Sequence, residues 1–270
     1  MEIEIGGGLR VKINQKDCTS SIIESPEATG NVFIPQFAVS EGEKYNIISI
    51  KENAFTRCII NSLTFPEDSK VETFEANCFR GANIKQLQIP PSVKYLQNKW
   101  CNCLLNLNKI EVSPSNPHFI LYNNEFLLGK TDEKSDTFDV LYFATNNIKD
   151  AVIPPQIKVI KEFSFYNHLK LQSVTFDGSS NIKIIEDNVF ANSFIKKFEL
   201  PASLEKICDN CFANVVHLTQ IEVSSENIFF KVVDGQLLLE ESKKGSGVFD
   251  VILFARRDIE SVNIPSYIKS

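Results

Sequence analysis

The heptapeptide FDVLYFA at residues 138–144 returns as FDVILFA at residues 249–255, an offset of 111 positions. The offset holds elsewhere without a gap: Phe79 is matched by Phe190, Pro90 by Pro201, Ile110 by Ile221, Leu127-Leu128 by Leu238-Leu239, and Ile153-Pro154 by Ile264-Pro265. A long ungapped internal period restricts the chain to a repeat architecture, and every other reading has to fit inside that restriction.

A shorter period lies within the long one. The rows close on Ile34, Phe65, Ile89, Val112, Ile153, Phe176, Leu200, Val223 and Ile264, mostly 23 or 24 residues apart, with a first interval of 31 and two long ones of 41. Each row has the spacing L-x-x-L-x-L, as in Ile60, Leu63, Phe65 or Ile195, Phe198, Leu200. The last two apolar residues flank one polar residue, which is the period of a half-buried strand. A proline often follows and can terminate it, as at Pro66, Pro90 and Pro201. Then come a second apolar pair (Val71 and Phe74, Val93 and Leu96, Ile157 and Ile160, Ile182 and Ile185, Leu204 and Ile207) and an aromatic anchor (Phe55, Phe79, Phe165, Phe190, Phe212). A unit of ~23 residues cannot bury its apolar side alone, so the units must stack into a solenoid.

The long unit contains the duplicated stretch. Short apolar segments flank Asn123-Asn124 and Asp234-Gly235, both favourable two-residue hairpin turns. FDVLYFA and FDVILFA then lead back to the stack, and Ile148, Ala151, Ile153 and Ile259, Val262, Ile264 regain the row spacing. Residues 1–30 form a cap region: EIEI and LRVKI flank Gly6-Gly7-Gly8 as a hairpin with acids on one arm and bases on the other. Residues 31–270 form a single repeat array that stops at IPSYIKS without a cap. An uncapped edge at Ile264 predicts end-to-end self-association.

Composition narrows the function classes. Hydrophobic content of 43% with 21 Phe supplies a packed core. A net charge of -6 argues against nucleic acid, whose binders concentrate Lys and Arg. No apolar run reaches the ~20 residues of a membrane helix, and the sequence as written carries neither a secretion signal nor an Asn-X-Ser/Thr acceptor.

The I-P-x-x-V/L-x-x-I segment, the aromatic anchor, the L-x-x-I/V-x-F/L/V-P row and the D-G-x-L-L…F-D-V-I-L insert together resemble the BspA-like leucine-rich repeats, over roughly residues 31–270. The resemblance implies a mostly β, curved leucine-rich-repeat solenoid and recognition or adhesion at a cell surface. The absent signal and acceptor sites leave a cytoplasmic location as the alternative.

Signals of chemistry are sparse. Seven cysteines at irregular spacing do not make a disulfide framework and read as free, mostly buried thiols. Cys208-Asp209-Asn210-Cys211 lacks a βαβ setting for redox work, and Cys211 fills the small slot before the anchor that Ala54, Cys78, Ser164 and Val189 hold in other units. Joining this pair to Cys101 and Cys103 in a zinc site would need ligands brought together across the stack. His118, His168 and His217 fall in no nucleophile or metal motif and are expected on loops or rims. Glu240-Glu241 reads as a solvated tip, and Trp100 as core filling. No catalytic residue, cofactor or metal is expected.

That leaves a noncatalytic scaffold for a protein or glycan, or a spacer segment of a larger repeat protein. The polar residues between the row's apolar ones must point away from the core. They are Ser62, Thr64, Gln86, Gln88, Lys109 and Glu111, then Ser173, Thr175, Lys197, Glu199, Gln220 and Glu222. The resemblance implies that such positions line the concave, partner-binding side. With no apolar member among the twelve, they suit a polar contact.

Overall fold

The computed structural model describes residues 1–269; Ser270, the last residue of the expected array, lies outside them. The chain divides into two compact units, Met1–Asn146 and Asn147–Ser270. Each is built from the stacked β coils of a solenoid, and one 3-10 turn at Gly6–Gly8 is the only helical segment described.

In chain order the first unit contains β1 (Glu2–Ile5), β2 (Leu9–Asn14), β3 (Thr19–Ile23), β4 (Gly30–Phe33), β5 (Phe37–Ser40), β6 (Glu43–Ile50), β7 (Ile59–Thr64), β8 (Thr73–Phe74), β9 (Asn83–Ile89), β10 (Tyr95–Leu96), β11 (Lys109–Val112), β12 (Ile120–Tyr122), β13 (Phe126–Gly129) and β14 (Val140–Ala144). The expected N-terminal hairpin forms: β1 and β2 are antiparallel, with Glu2 opposite Lys12 and Glu4 opposite Arg10. Its joint requires Gly8, whose φ is +72° and where a Cβ would stand 2.5 Å from the Glu27 carbonyl oxygen. The hairpin opens a sheet ordered β1-β2-β3-β6-β8-β10, with β5 folded back on β6. A second sheet, ordered β11-β9-β7-β4, is parallel throughout and carries the row residues.

The second unit contains β15 (Asp150–Ile153), β16 (Val159–Ile160), β17 (Ser173–Phe176), β18 (Ile184–Ile185), β19 (Lys197–Leu200), β20 (Lys206–Ile207), β21 (Gln220–Val223), β22 (Phe230–Val233), β23 (Leu237–Glu241) and β24 (Phe249–Ala255). Its row strands form a parallel sheet β15-β17-β19-β21, and β16, β18 and β20 pair in parallel at the second apolar position. One row departs from expectation. Residues 256–264 hold no strand, and Ile264 is 60% exposed, whereas its counterpart Ile153 is fully buried. Strand β15 is held by its ladder to β17; among the described residues no strand pairs with 262–264, and unpaired backbone has no reason to extend there.

The core follows the periodicity. The anchors Phe55, Phe79, Phe165 and Phe190 are fully buried, as are the slot residues Cys78, Ser164 and Val189 before them. Successive anchors touch: Phe55 stacks on Phe79 with centroids 5.8 Å apart, and Phe190 on Phe212 at 5.9 Å. Most anchors lie between two residues with positive φ, for example Asn188 and Asn192 around Phe190 and Asn210 and Asn214 around Phe212. Asn tolerates this left-handed geometry better than most residues, which explains its frequency beside the anchors. Trp100 fills core as expected, against Phe74, Phe79 and Phe143.

Candidate functional site

The twelve candidate residues lie on two parallel sheets, six in each unit. In the first, Ser62 pairs in register with Gln86, and Gln86 with Lys109, while Glu111 pairs with Gln88. In the second, Ser173 pairs with Lys197, Lys197 with Gln220, and Glu199 with Glu222. All twelve are exposed or half-buried, and their apolar neighbours Leu63, Leu87, Ile110, Val174, Phe198 and Ile221 are buried, as strand alternation requires.

The side chains organise one another across the strands. Ser62 donates to Asn31 Oδ1 at 3.0 Å, Gln86 Nε2 donates to Glu111 Oε1 at 3.1 Å, and Lys109 pairs with Glu111. Gln88 Oε1 accepts the Phe65 N–H at 2.8 Å. In the second unit Lys197 bridges Glu199 at 2.6 Å and Glu222 at 3.3 Å, and these carboxylates hold its ammonium above the ordinary lysine range. Ser173 donates to Asp150 Oδ1 at 2.6 Å.

The registers extend each face by a strand that the sequence reading left out. Asn31 and Phe33 of β4 lie opposite Ser62 and Thr64, and Asp150 and Val152 of β15 lie opposite Ser173 and Thr175. Phe33 and Val152 are exposed large apolar residues, so each polar face has one apolar position at its first strand. Both strands belong to rows that the sequence shows, those closing on Ile34 and Ile153, whose outward positions the candidate set omits.

No group of three or more His, Cys, Asp or Glu side chains placed to hold a metal occurs among the described residues. Cys58, Cys78, Cys101 and Cys211 are buried thiols, and desolvation pushes Cys58, Cys78 and Cys211 up, away from the nucleophilic thiolate. His168 is not on a rim: it is buried against the Phe165 ring, centroids 5.5 Å apart. Glu240 and Glu241 belong to strand β23 instead of a loop. The Glu241 carboxylate accepts the N–H groups of Gly245 and Gly247 at 2.5 and 2.6 Å, closing the tip that follows.

The duplicated heptapeptides carry a structural device. Asp139 accepts the Thr131 N–H and hydroxyl at 2.8 and 2.7 Å, and Asp250 accepts those of Ser242 at 2.8 and 2.9 Å, so each buried aspartate clamps the base of a tip. Asn116 and Asn227, again 111 apart, are also buried. Each donates to two carbonyls of the preceding coil and accepts two N–H groups of its own turn. No described helix is long and apolar enough to cross a membrane.

The profile of the BspA type leucine rich repeat region matches residues 42–125 and 137–232, in six copies. No curated protein matches the chain. Among solved structures, a leucine rich cell surface protein from Faecalibacterium prausnitzii is similar over 99% of this chain and 65% of that one, at 16% identity and a TM-score of 0.55. The pneumococcal vaccine antigen PcpA is similar over 100% of this chain and 60% of its own, at 16% identity and a TM-score of 0.44. A leucine-rich repeat protein from Eubacterium ventriosum is similar over 83% and 72% respectively, at 16% identity and 0.48. The chain therefore spans less than two thirds of the length of the first two. At such identity the first likeness bears on fold alone.

Proposed function

The chain belongs to the BspA-type leucine-rich-repeat family, and from that premise we propose that it is a noncatalytic recognition scaffold, binding a protein or glycan through the exposed rows of its parallel sheets. The observation that carries the reading is the regular array of twelve polar side chains, none buried, fixed in register by the strands beneath them, with Gln86, Lys109 and Glu111 and then Lys197, Glu199 and Glu222 bonded to one another. A face ordered before the partner arrives loses less side-chain entropy on binding. Mixed amides, hydroxyls and both signs of charge suit a polar, hydrated contact, with Phe33 and Val152 as apolar footholds. Adhesion is the form of recognition that fits a surface-located scaffold.

The test starts with glycan arrays and crosslinking capture to identify a partner. Its affinity is then measured for the Gln88→Glu, Lys109→Glu, Lys197→Glu variant and for reversal of Lys130, Lys243 and Lys244 on the tips. The strand variant should bind at least ~10-fold more weakly, with melting nearly unchanged, because exposed ion pairs contribute only about 0–1 kcal/mol each. The tip variant should bind normally. Loss in the tip variant alone would move recognition to the hairpins, and absence of any specific partner would favour a spacer.

A further inference from the structure

Three successive coils of the second unit place a large apolar residue at one outward position. Leu169, Phe194 and Val216 each lie two residues beyond a left-handed Asn (Asn167, Asn192, Asn214), and they are 55%, 43% and 60% exposed. Scattered surface apolar residues need no explanation, but a run recurring from coil to coil does. The three are neighbours: Leu169 and Phe194 line one cleft of about 440 Å³, and the His217 ring, next to Val216, packs edge-on against Phe194 at 4.7 Å. The corresponding positions of the first unit are Ile59, Asn83 and Leu105. Asn83 breaks the run there, accepting a hydrogen bond from Asn106 at 3.0 Å. The stripe is a property of the second unit.

The rest of the cleft is cationic. Its lining adds Lys149, Lys170 and Lys196 with Asn147 and Gln172. Lys149 and Lys196 immediately precede β15 and β19, strands separated by β17 in the same sheet, so they stand about two strand spacings, ~10 Å, apart. Several lysines of this acidic chain pair with carboxylates, as Lys161 with Glu186, Lys183 with Glu205, and Lys197 with Glu199. Among the described residues none of the three cleft lysines has a carboxylate partner, and Lys170 donates only to the neutral Asn147 Oδ1 at 3.2 Å.

We propose that this cleft, at the leading ends of β15, β17 and β19 and apart from the polar rows, docks an extended acidic peptide whose carboxylates meet Lys149, Lys170 and Lys196 while its apolar side chains cover Leu169, Phe194 and Val216. Charge complementarity selects the occupant: uncompensated ammonium groups beside apolar surface call for carboxylates with apolar residues between them. An extended chain of the polyproline II type, with three residues per turn at about 3.1 Å each, carries carboxylates three residues apart on one side at about 9 Å, close to the lysine spacing. A concave cleft suits a peptide chain better than a flat lipid surface does.

The probe is a fluorescein-labelled heptapeptide, Glu-Leu-Phe-Glu-Leu-Phe-Glu, read by anisotropy on the full chain, beside versions with Lys for every Glu and with Ser for every apolar residue. Binding of the first alone is expected, weakening severalfold on raising salt from about 0.05 to 0.3 M as the pairs are screened. Lys149→Glu with Lys196→Glu should weaken it at least ~10-fold, and Phe194→Ser severalfold; all three side chains are surface-accessible, and a melt verifies the fold. Equal binding of the Lys peptide, or unchanged binding by the double variant, overturns the proposal. So does binding to phosphatidylserine vesicles without peptide binding, which assigns the face to lipid. Self-association abolished by the same substitutions without peptide binding assigns it to a second copy, and also overturns it.

Discussion

At the residue scale, the anchor phenylalanines separate two roles that one residue type plays four positions apart. Phe190 is fully buried among Phe165, Phe198 and Phe212, while Phe194 is exposed beside His217. Phe190→Ala should destabilise the chain by about 3–5 kcal/mol through lost burial and an unfilled cavity. Phe194→Ala should fall within about 0.5 kcal/mol of wild type, as surface changes do. Denaturant titration of both decides it; equal effects would place Phe190 outside the core. The buried set was legible because burial follows the repeat. His168 was not, since an isolated imidazole carries no periodicity and only the packing puts it against Phe165.

At the element scale, the row strands and hairpins were readable from alternation and turn chemistry. Asn123-Asn124 and Asp234-Gly235 do take positive φ between antiparallel strands. The missing strand at 262–264 shows the limit: local pattern proposes a strand, but a hydrogen-bonded neighbour is required to make one. The clamp at the base of the second tip gives a pH dependence. The Lys269 ammonium, 2.6 Å away, and then the Ser242 N–H hold the Asp250 carboxyl down from 3.8 to about 2. A carboxyl lowered on folding contributes its stability above its ordinary value, and the contribution fades as pH falls toward the folded one. The advantage of wild type over Asp250→Asn should therefore be constant above about pH 4 and shrink steadily toward pH 2 in thermal melts. A difference independent of pH would mean that the charge contributes nothing to the clamp.

At the scale of the whole molecule, the repeat predicted a stacked solenoid, and the coils of both units have that construction. The proposed binding face was legible as a set of polar strand positions. Its apolar ends at Phe33 and Val152 and the lysine-lined stripe were not, because they depend on which strands pair and on which lysines lack a carboxylate. The cysteines offer a measure of how the coils open. Cys18 is exposed, whereas Cys58, Cys78 and Cys101 in one unit and Cys211 in the other are buried. A thiol reagent should label Cys18 at once and these four only as their coils open, with mass spectrometry resolving each site. Rapid labelling of Cys78 in the native protein would contradict the packing around it.

The aspartate clamps have a consequence for how such a chain can vary. Thr131 to Asp139 and Ser242 to Asp250 enclose tips of equal span, yet KTDEKSDTF and ESKKGSGVF share little sequence. The buried carboxylate fixes where each tip leaves and returns, so the two tips differ in sequence over the same clamped ends. The clamped ends therefore mark the two places where the sequence is expected to drift, or to accept a grafted epitope, while the scaffold beneath keeps its register.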